Sequence, residues 1–367
     1  MNEYVSSIDN QLEKIAKSND ELGLGVKIAL TSKGKRIRAI LALLMCKIYC
    51  GDPTRAMPIS VIYELAHIAS LTQDDIMDQS DTRHSKPSIY SIFGAHNAIL
   101  TSDVLIFEIF TQFSDFVKWF KDLDQLQQIL KLLGDSAKAA AKGQRLQMAL
   151  NQNKINTSQE EYLEVVENKT GSLMAASCAS GAIIGGAPSQ AVQTAYSFGS
   201  KFSAAYQIID DAQDVLGSPK KLGKPLFQDL SNKNSNILFI HGMKNASRSD
   251  RKYLVDLNKE NLSEEDVKKV QQIFYKTKSI EHALKLASSL LSECRIMLLN
   301  LKPCEARRSL NKLTYLIGNK ILEETQLFSK KSNLIINVKN LSRDLKKTGD
   351  KDDMNLPLYP RSNTILS

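Results

Sequence analysis

The stretch Leu71-Thr-Gln-Asp-Asp-Ile-Met-Asp78 decides how this chain is read, because Tyr206-Gln-Ile-Ile-Asp-Asp-Ala-Gln-Asp214 repeats its spacing. Each carries aspartates at i, i+1 and i+4: Asp74, Asp75 and Asp78, then Asp210, Asp211 and Asp214. On a helix, i and i+4 lie one above the other, so each cluster presents two stacked carboxylates to one side. Both clusters close apolar runs, Ile62 to Leu71 and Phe198 to Ile209, which points to packed helices. Carboxylates crowded at the end of such a helix are costly unless a cation neutralises them. Oxygen-only ligation favours Mg²⁺, Mn²⁺ or Ca²⁺ over zinc. Mg²⁺ usually takes one or two carboxylates plus substrate phosphates, so the pair suggests a phosphorylated substrate. One cluster alone would read as a solvated helix end; two copies inside apolar helices point to metal.

The segments beside the acids are basic. In Ser32-Lys-Gly-Lys-Arg-Ile-Arg38, Lys35 and Arg38 share a face and suit an anion clamp, although basic turns are more often simply solvated. His67 stands two turns before Asp74 on the same stripe, where a structural and a functional role are both open. Asp81-Thr-Arg-His-Ser-Lys-Pro-Ser88 reads as a loop carrying Arg83, His84 and Lys86. Gln207 precedes Asp210 by three and faces the same way. After the second cluster, residues 220 to 233 read either as a solvated loop or as a phosphate-gripping lid.

The remaining sequence bounds the class. At 367 residues, 43% hydrophobic and 24% charged, with 9 Pro and 17 Gly, it suits a soluble, largely helical protein. No 18-residue apolar run is apparent, so no membrane span is expected. The first residues lack the pattern of a signal peptide. Cys46, Cys50, Cys178, Cys294 and Cys304 have no zinc-finger spacing and read as reduced thiols of a cytoplasmic protein. The net charge of +8 is scattered rather than striped with aromatics, which argues against nucleic acid.

In order, residues 1 to 30 read as one amphipathic helix. Residues 58 to 78 form the first acidic helix. Residues 89 to 150 form two long helices parted near 120 to 125, the second ending in Lys142-Gly-Gln-Arg-Leu-Gln147. Ser158 is a helix cap with Glu161 at capping-box spacing. The next helix carries Asn168-Lys-Thr-Gly-Ser-Leu173 and a small-residue run from Ala175 to Gly186 suited to close packing. Residues 191 to 216 form the second acidic helix, and further helices fill 236 to 327, one starting at Ser263. Residues 1–329 read as one domain and 330–367 as a partly disordered extension.

These motifs, in this order, resemble the trans-polyprenyl diphosphate synthases, over about Ser32 to Gln326. The resemblance implies an all-α bundle of roughly ten or more helices around a central cavity, as a homodimer. It implies that Asp74 and Asp78 bind two Mg²⁺ ions and Asp210 a third, with Asp211 and Asp214 supporting. Arg83, Lys169, Lys224 and Lys233 would hold an allylic diphosphate. Thr170 and Gln207 match the KT and FQ positions, with Tyr206 in place of the usual Phe. Lys35, Arg38 and His67 would grip isopentenyl diphosphate. The implied reaction alkylates that substrate's double bond with an allylic carbocation.

The chain departs from the family at His84, where a second arginine normally helps bind isopentenyl diphosphate. It also departs at Ser85, Lys33 and Ala39, and at Asn232 to Ile237. Two other readings stand beside a chain-elongating enzyme: a terpene cyclase on the same fold, and a non-catalytic subunit of a heteromeric synthase. In the family, a bulky aromatic five before the first Asp ends elongation early. Here Ala69 holds that position, with Ser70 and Ala66 nearby, so a geranylgeranyl (C20) or longer product is expected. Phe107 or Phe110 would then supply a deeper floor.

Overall fold

A computed structural model of the chain describes residues 2–16, 20–32, 34–83, 86–117, 120, 122–152, 156–217, 236–257, 262–332 and 336. Among them the chain is almost wholly helical. The first helices are α1 (Asn2–Ile15), α2 (Glu21–Thr31), α3 (Ile37–Cys50), α4 (Met57–Met77), α5 (Ile89–Phe116), α6 (Leu123–Gln152) and α7 (Gln159–Val166). There follow α8 (Ser172–Gly185), α9 (Ser189–Leu216), α10 (Ile237–Asn245), α11 (Arg248–Asp256), α12 (Glu264–Lys276), α13 (Ser279–Leu299) and α14 (Glu305–Ser332). A π-helical turn, Glu167–Gly171, joins α7 to α8.

The small-residue run explains the centre of the bundle. Every residue of α8 is buried, and the helix packs against α3, α4, α6 and α9. A Cβ on Gly181 would stand 2.8 Å from Ala42 Cα, so only glycine lets α3 and α8 approach this closely. The two acidic helices, α4 and α9, both pack on α8. That shared support fixes one cluster relative to the other.

Several expectations change. Residues 1 to 30 form two helices, because the Asp20 carboxylate accepts from Gly23 N at 2.7 Å and starts α2 anew. The segment after the first acids is a short antiparallel hairpin, Thr82–Arg83 against Lys86–Pro87, rather than a plain loop. Helix α14 runs to Ser332, past the expected boundary at 329; residues 337–367 lie outside the described residues. The caps read at Ser158 and Ser263 are both present as capping boxes.

Helix α5 is long and apolar enough to cross a membrane by length and composition, although its apolar run is not unbroken. Polar Thr101, Ser102, Asp103 and Glu108 mask the run in the sequence. Thr101 and Ser102 are buried with Leu105 and Ile109, and α5 packs on α2 and α4. Exposed Ile99, Leu100, Phe107 and Phe110 leave the rest of α5 apolar and open. Phe107 and Phe110, 67% and 62% exposed, are therefore on the surface and form no cavity floor.

Candidate active site

Burial along α4 divides the first acidic helix into two faces. Ile59 to Leu65, Ile68, Ala69, Thr72 and Asp75 are buried. Ala66, His67, Ser70, Leu71 and Asp74 are only partly buried and Asp78 is exposed, so an accessible stripe follows the i, i+4 rise of the helix. Asp74 and Asp78 share that stripe, as the spacing requires. Ala69 does not: it is 2% exposed, and its carbonyl accepts from Ser102 Oγ of α5 at 3.3 Å.

Asp75 faces inward and is 3% exposed. Its Oδ1 accepts from Arg83 Nε at 3.0 Å and also from Nη2, an ion pair that folds the hairpin onto α4. Arg83, expected at a diphosphate, is thus positioned by the middle aspartate beside the acids.

Lys169 and Thr170 lie in the π turn, a distortion frequent at functional sites. Lys169 Nζ stands 3.6 Å from Asp74 Oδ1 and donates to Gln147 Oε1 at 2.8 Å. Burial holds the Asp74 carboxyl above its ordinary value; the nearby Asp78 charge adds to this, while Lys169 and Arg83 oppose it. One lysine therefore does not offset the desolvation of Asp74.

On α9, Asp210 is partly buried, Asp211 is 3% exposed and Asp214 2% exposed. Asp211 accepts from Tyr162 Oη at 2.7 Å, Gln207 Nε2 at 3.0 Å and Ile237 N at 3.4 Å. It ties α7, α9 and the start of α10 together and leaves Asp210 as the outer carboxylate of the pair. Gln207, read as facing a substrate with Asp210, here donates to Asp211.

The basic turn splits between structure and site. Arg36, in the left-handed conformation at φ 49, is buried against Asp9 at 2.8 Å and Glu64 at 3.5 Å. Glu64 also accepts from Ala39 N at 3.3 Å, so this buried carboxylate fixes the start of α3. Lys35 Nζ donates to Tyr206 Oη at 2.8 Å. Arg38 is 9% exposed, and its buried Nε has no hydrogen-bond partner. Burial lowers its pKa, with Glu64 and then Tyr206 opposing, and an unpaired guanidinium nitrogen there suits an anion. His84, Lys224 and Lys233 lie outside the described residues.

Sequence reasoning did not single out Glu64, Arg36, Tyr162, Gln147 or Gly143. A glycine inside the helical pattern was the available signal for Gly143; nothing local marks Tyr162. Among the described residues no three His, Cys, Asp or Glu side chains converge as a metal cage. The donor set still fits Mg²⁺, which takes one or two carboxylates and leaves the rest of its shell to phosphate and water. Asp74, held above its ordinary pKa, is the kind of carboxylate a divalent cation would stabilise.

Residues 22–275 match the polyprenyl synthetase family. The short chain isoprenyl diphosphate synthase of Methanocaldococcus jannaschii is 30% identical over 280 residues, 76% of this chain and 83% of that protein. The geranylfarnesyl diphosphate synthase of Aeropyrum pernix is 32% identical over 252 residues, covering 68% and 78% respectively. The crystal structure of geranylgeranyl pyrophosphate synthetase from Pyrococcus horikoshii superposes with a TM-score of 0.77 at 28% identity, covering 85% of this chain and 94% of that one.

Proposed function

This chain belongs to the trans-polyprenyl diphosphate synthase family of Mg²⁺-dependent prenyltransferases, and from that premise we propose that it condenses isopentenyl diphosphate with an allylic diphosphate to a geranylgeranyl or longer product. One observation carries the length: the accessible stripe of α4 runs from Asp74 back through Leu71, Ser70, His67 and Ala66, with no Phe, Tyr or Trp on it and with small side chains at Ser70 and Ala66. One helical turn rises ~5.4 Å, about one isoprene unit, so the small side chains of Ser70 and Ala66 leave room for further units. The geranylfarnesyl and geranylgeranyl activities of the relatives named above agree with that reading.

In this reading Asp74 and Asp78 hold two Mg²⁺ ions and Asp210 a third. Bound Mg²⁺ supplies positive charge to the departing diphosphate. Lys169, Thr170 and Arg83 orient that diphosphate from the other side of Asp74, joined by Lys224 and Lys233. Lys35, Arg38, His67 and His84 hold the diphosphate of isopentenyl diphosphate. The allylic carbon–oxygen bond breaks with its electron pair leaving on diphosphate. The isopentenyl double bond attacks the cationic carbon, and a proton then passes to the released diphosphate. The apolar exposed face of α5, with Ile99, Leu100, Phe107 and Phe110, is where a second copy would pack as a homodimer.

The test is incorporation of labelled isopentenyl diphosphate onto an allylic primer with Mg²⁺. Chelation should stop it reversibly, and Asp74→Ala and Asp210→Ala should each abolish it while leaving the helical fold. Unchanged turnover in either variant would contradict the metal assignment.

A further inference from the structure

The basic turn and the second acidic helix are joined by a bond that neither motif encodes. Lys35 precedes α3, and Tyr206 lies on α9 one helical turn before Asp210. Lys35 Nζ donates to Tyr206 Oη at 2.8 Å and stands 5.5 Å from the ring centre. An ammonium has three donors, so two remain for a ligand. A phenol that accepts from lysine is free to donate its own proton. The charged groups near it are Asp210 and Arg38, of which only the carboxylate accepts.

We propose that Tyr206 is a positioning residue for Lys35: its hydroxyl holds the ammonium beside the second acidic cluster, with two donors aimed at the diphosphate of the isopentenyl substrate. This rests on Lys35 being a diphosphate ligand, as read above. Tyr206 is partly buried among core residues Phe202 to Ala205, Ile208 and Ile209 of α9, so the ring would pack equally well as the phenylalanine usual at this position in the family. The hydroxyl is what this chain adds. Lysine carries much rotamer freedom, and a ligand that must fix it loses affinity; an existing hydrogen bond removes part of that loss.

The experiment is steady-state kinetics on the full chain with Tyr206→Phe, Lys35→Met and the double variant. Tyr206→Phe should raise KM for isopentenyl diphosphate about three- to tenfold, the size of one net hydrogen bond. It should leave kcat and the KM for the allylic substrate within about twofold. In the Lys35→Met background, Tyr206→Phe should change nothing further. An unchanged KM, an equal rise in both KM values, or additive effects in the double variant would overturn the proposal. Absence of elongated product from the wild type would instead overturn the prenyltransferase reading. Calorimetry with inorganic diphosphate then decides the proposal without turnover: Tyr206→Phe must weaken binding in the wild type and not in Lys35→Met, and any other pattern overturns it.

Discussion

Gly143 of α6 lies directly against Lys169, the lysine that reaches Asp74. A Cβ at Gly143 would stand 2.7 Å from Lys169 Cα and 2.9 Å from the carbonyl carbon of Asn168, both backbone atoms that cannot swing aside. The missing side chain lets α6 press on the π turn and sets the height of Lys169 beside the acids. Gly143→Ala should therefore destabilise the fold by roughly 1–3 kcal/mol, as overpacking does. It should also lower turnover more than the stability loss explains. Thermal melting and kcat on the folded fraction check this; a variant that melts and turns over like wild type would mean the contact is slack.

Asp74 couples stability to function in opposite directions. Its carboxyl is held above its ordinary pKa, so the folded chain binds its proton more tightly than the unfolded chain does. Stability from this group is present at low pH and is lost as pH rises through the raised pKa. At neutral pH the metal-free enzyme carries that cost. Asp74→Asn should thus be at least as stable as wild type at pH 7 without metal, with a flatter pH profile just above the ordinary carboxylate range, yet inactive. Denaturant midpoints across pH measure it; a clear loss of stability in the variant would show that Asp74 is already neutralised by Lys169.

Much of the site was legible. Two i, i+1, i+4 acid clusters inside apolar runs lead to the accessible positions that Asp74, Asp78 and Asp210 take on their helices, because helix periodicity is a local property. The role of the middle aspartates was not. Asp75 and Asp211 look equivalent to their neighbours in sequence, but the helix turns them inward, where Arg83 and Tyr162 meet them. Those partners come from a hairpin and from another helix, and no local signal records such pairings. Ala69 is a further case: one residue from Ser70 is a rotation of about 100°, enough to take it off the open stripe and bury it, with its carbonyl bonded to Ser102 of α5.

That difference yields a prediction about length. Ser70→Phe places a ring on the accessible stripe one turn below Asp74, and the product should shorten by one or more isoprene units with the fold intact. Ala69→Phe drives the ring into α5 and should cost about 1–3 kcal/mol of stability. Chromatographic sizing of products, with melting curves for both variants, separates the two. An unmoved product distribution in Ser70→Phe would mean the chain does not grow along α4.

Acid sensitivity should arise away from the acids. His241 of α10 stacks on His282 of α13 with ring centroids 4.2 Å apart. Burial first, then His282, depresses His241 to about 4, and burial also lowers His282. A depressed histidine contributes stability above its ordinary pKa of about 6.5 that is lost as pH falls toward 4. Replacing the ring by His241→Gln should flatten the stability profile between about pH 6.5 and 4 by up to one proton. Equal slopes for variant and wild type would show that the stack does not titrate there.

The central claim is that this chain elongates an allylic diphosphate past fifteen carbons. The direct measurement is the size of the products that the purified protein makes from isopentenyl diphosphate and farnesyl diphosphate with Mg²⁺. The account predicts geranylgeranyl diphosphate or longer chains, with one inorganic diphosphate released per unit added. Failure to extend farnesyl diphosphate, or its conversion to a cyclic hydrocarbon without consumption of isopentenyl diphosphate, would contradict it.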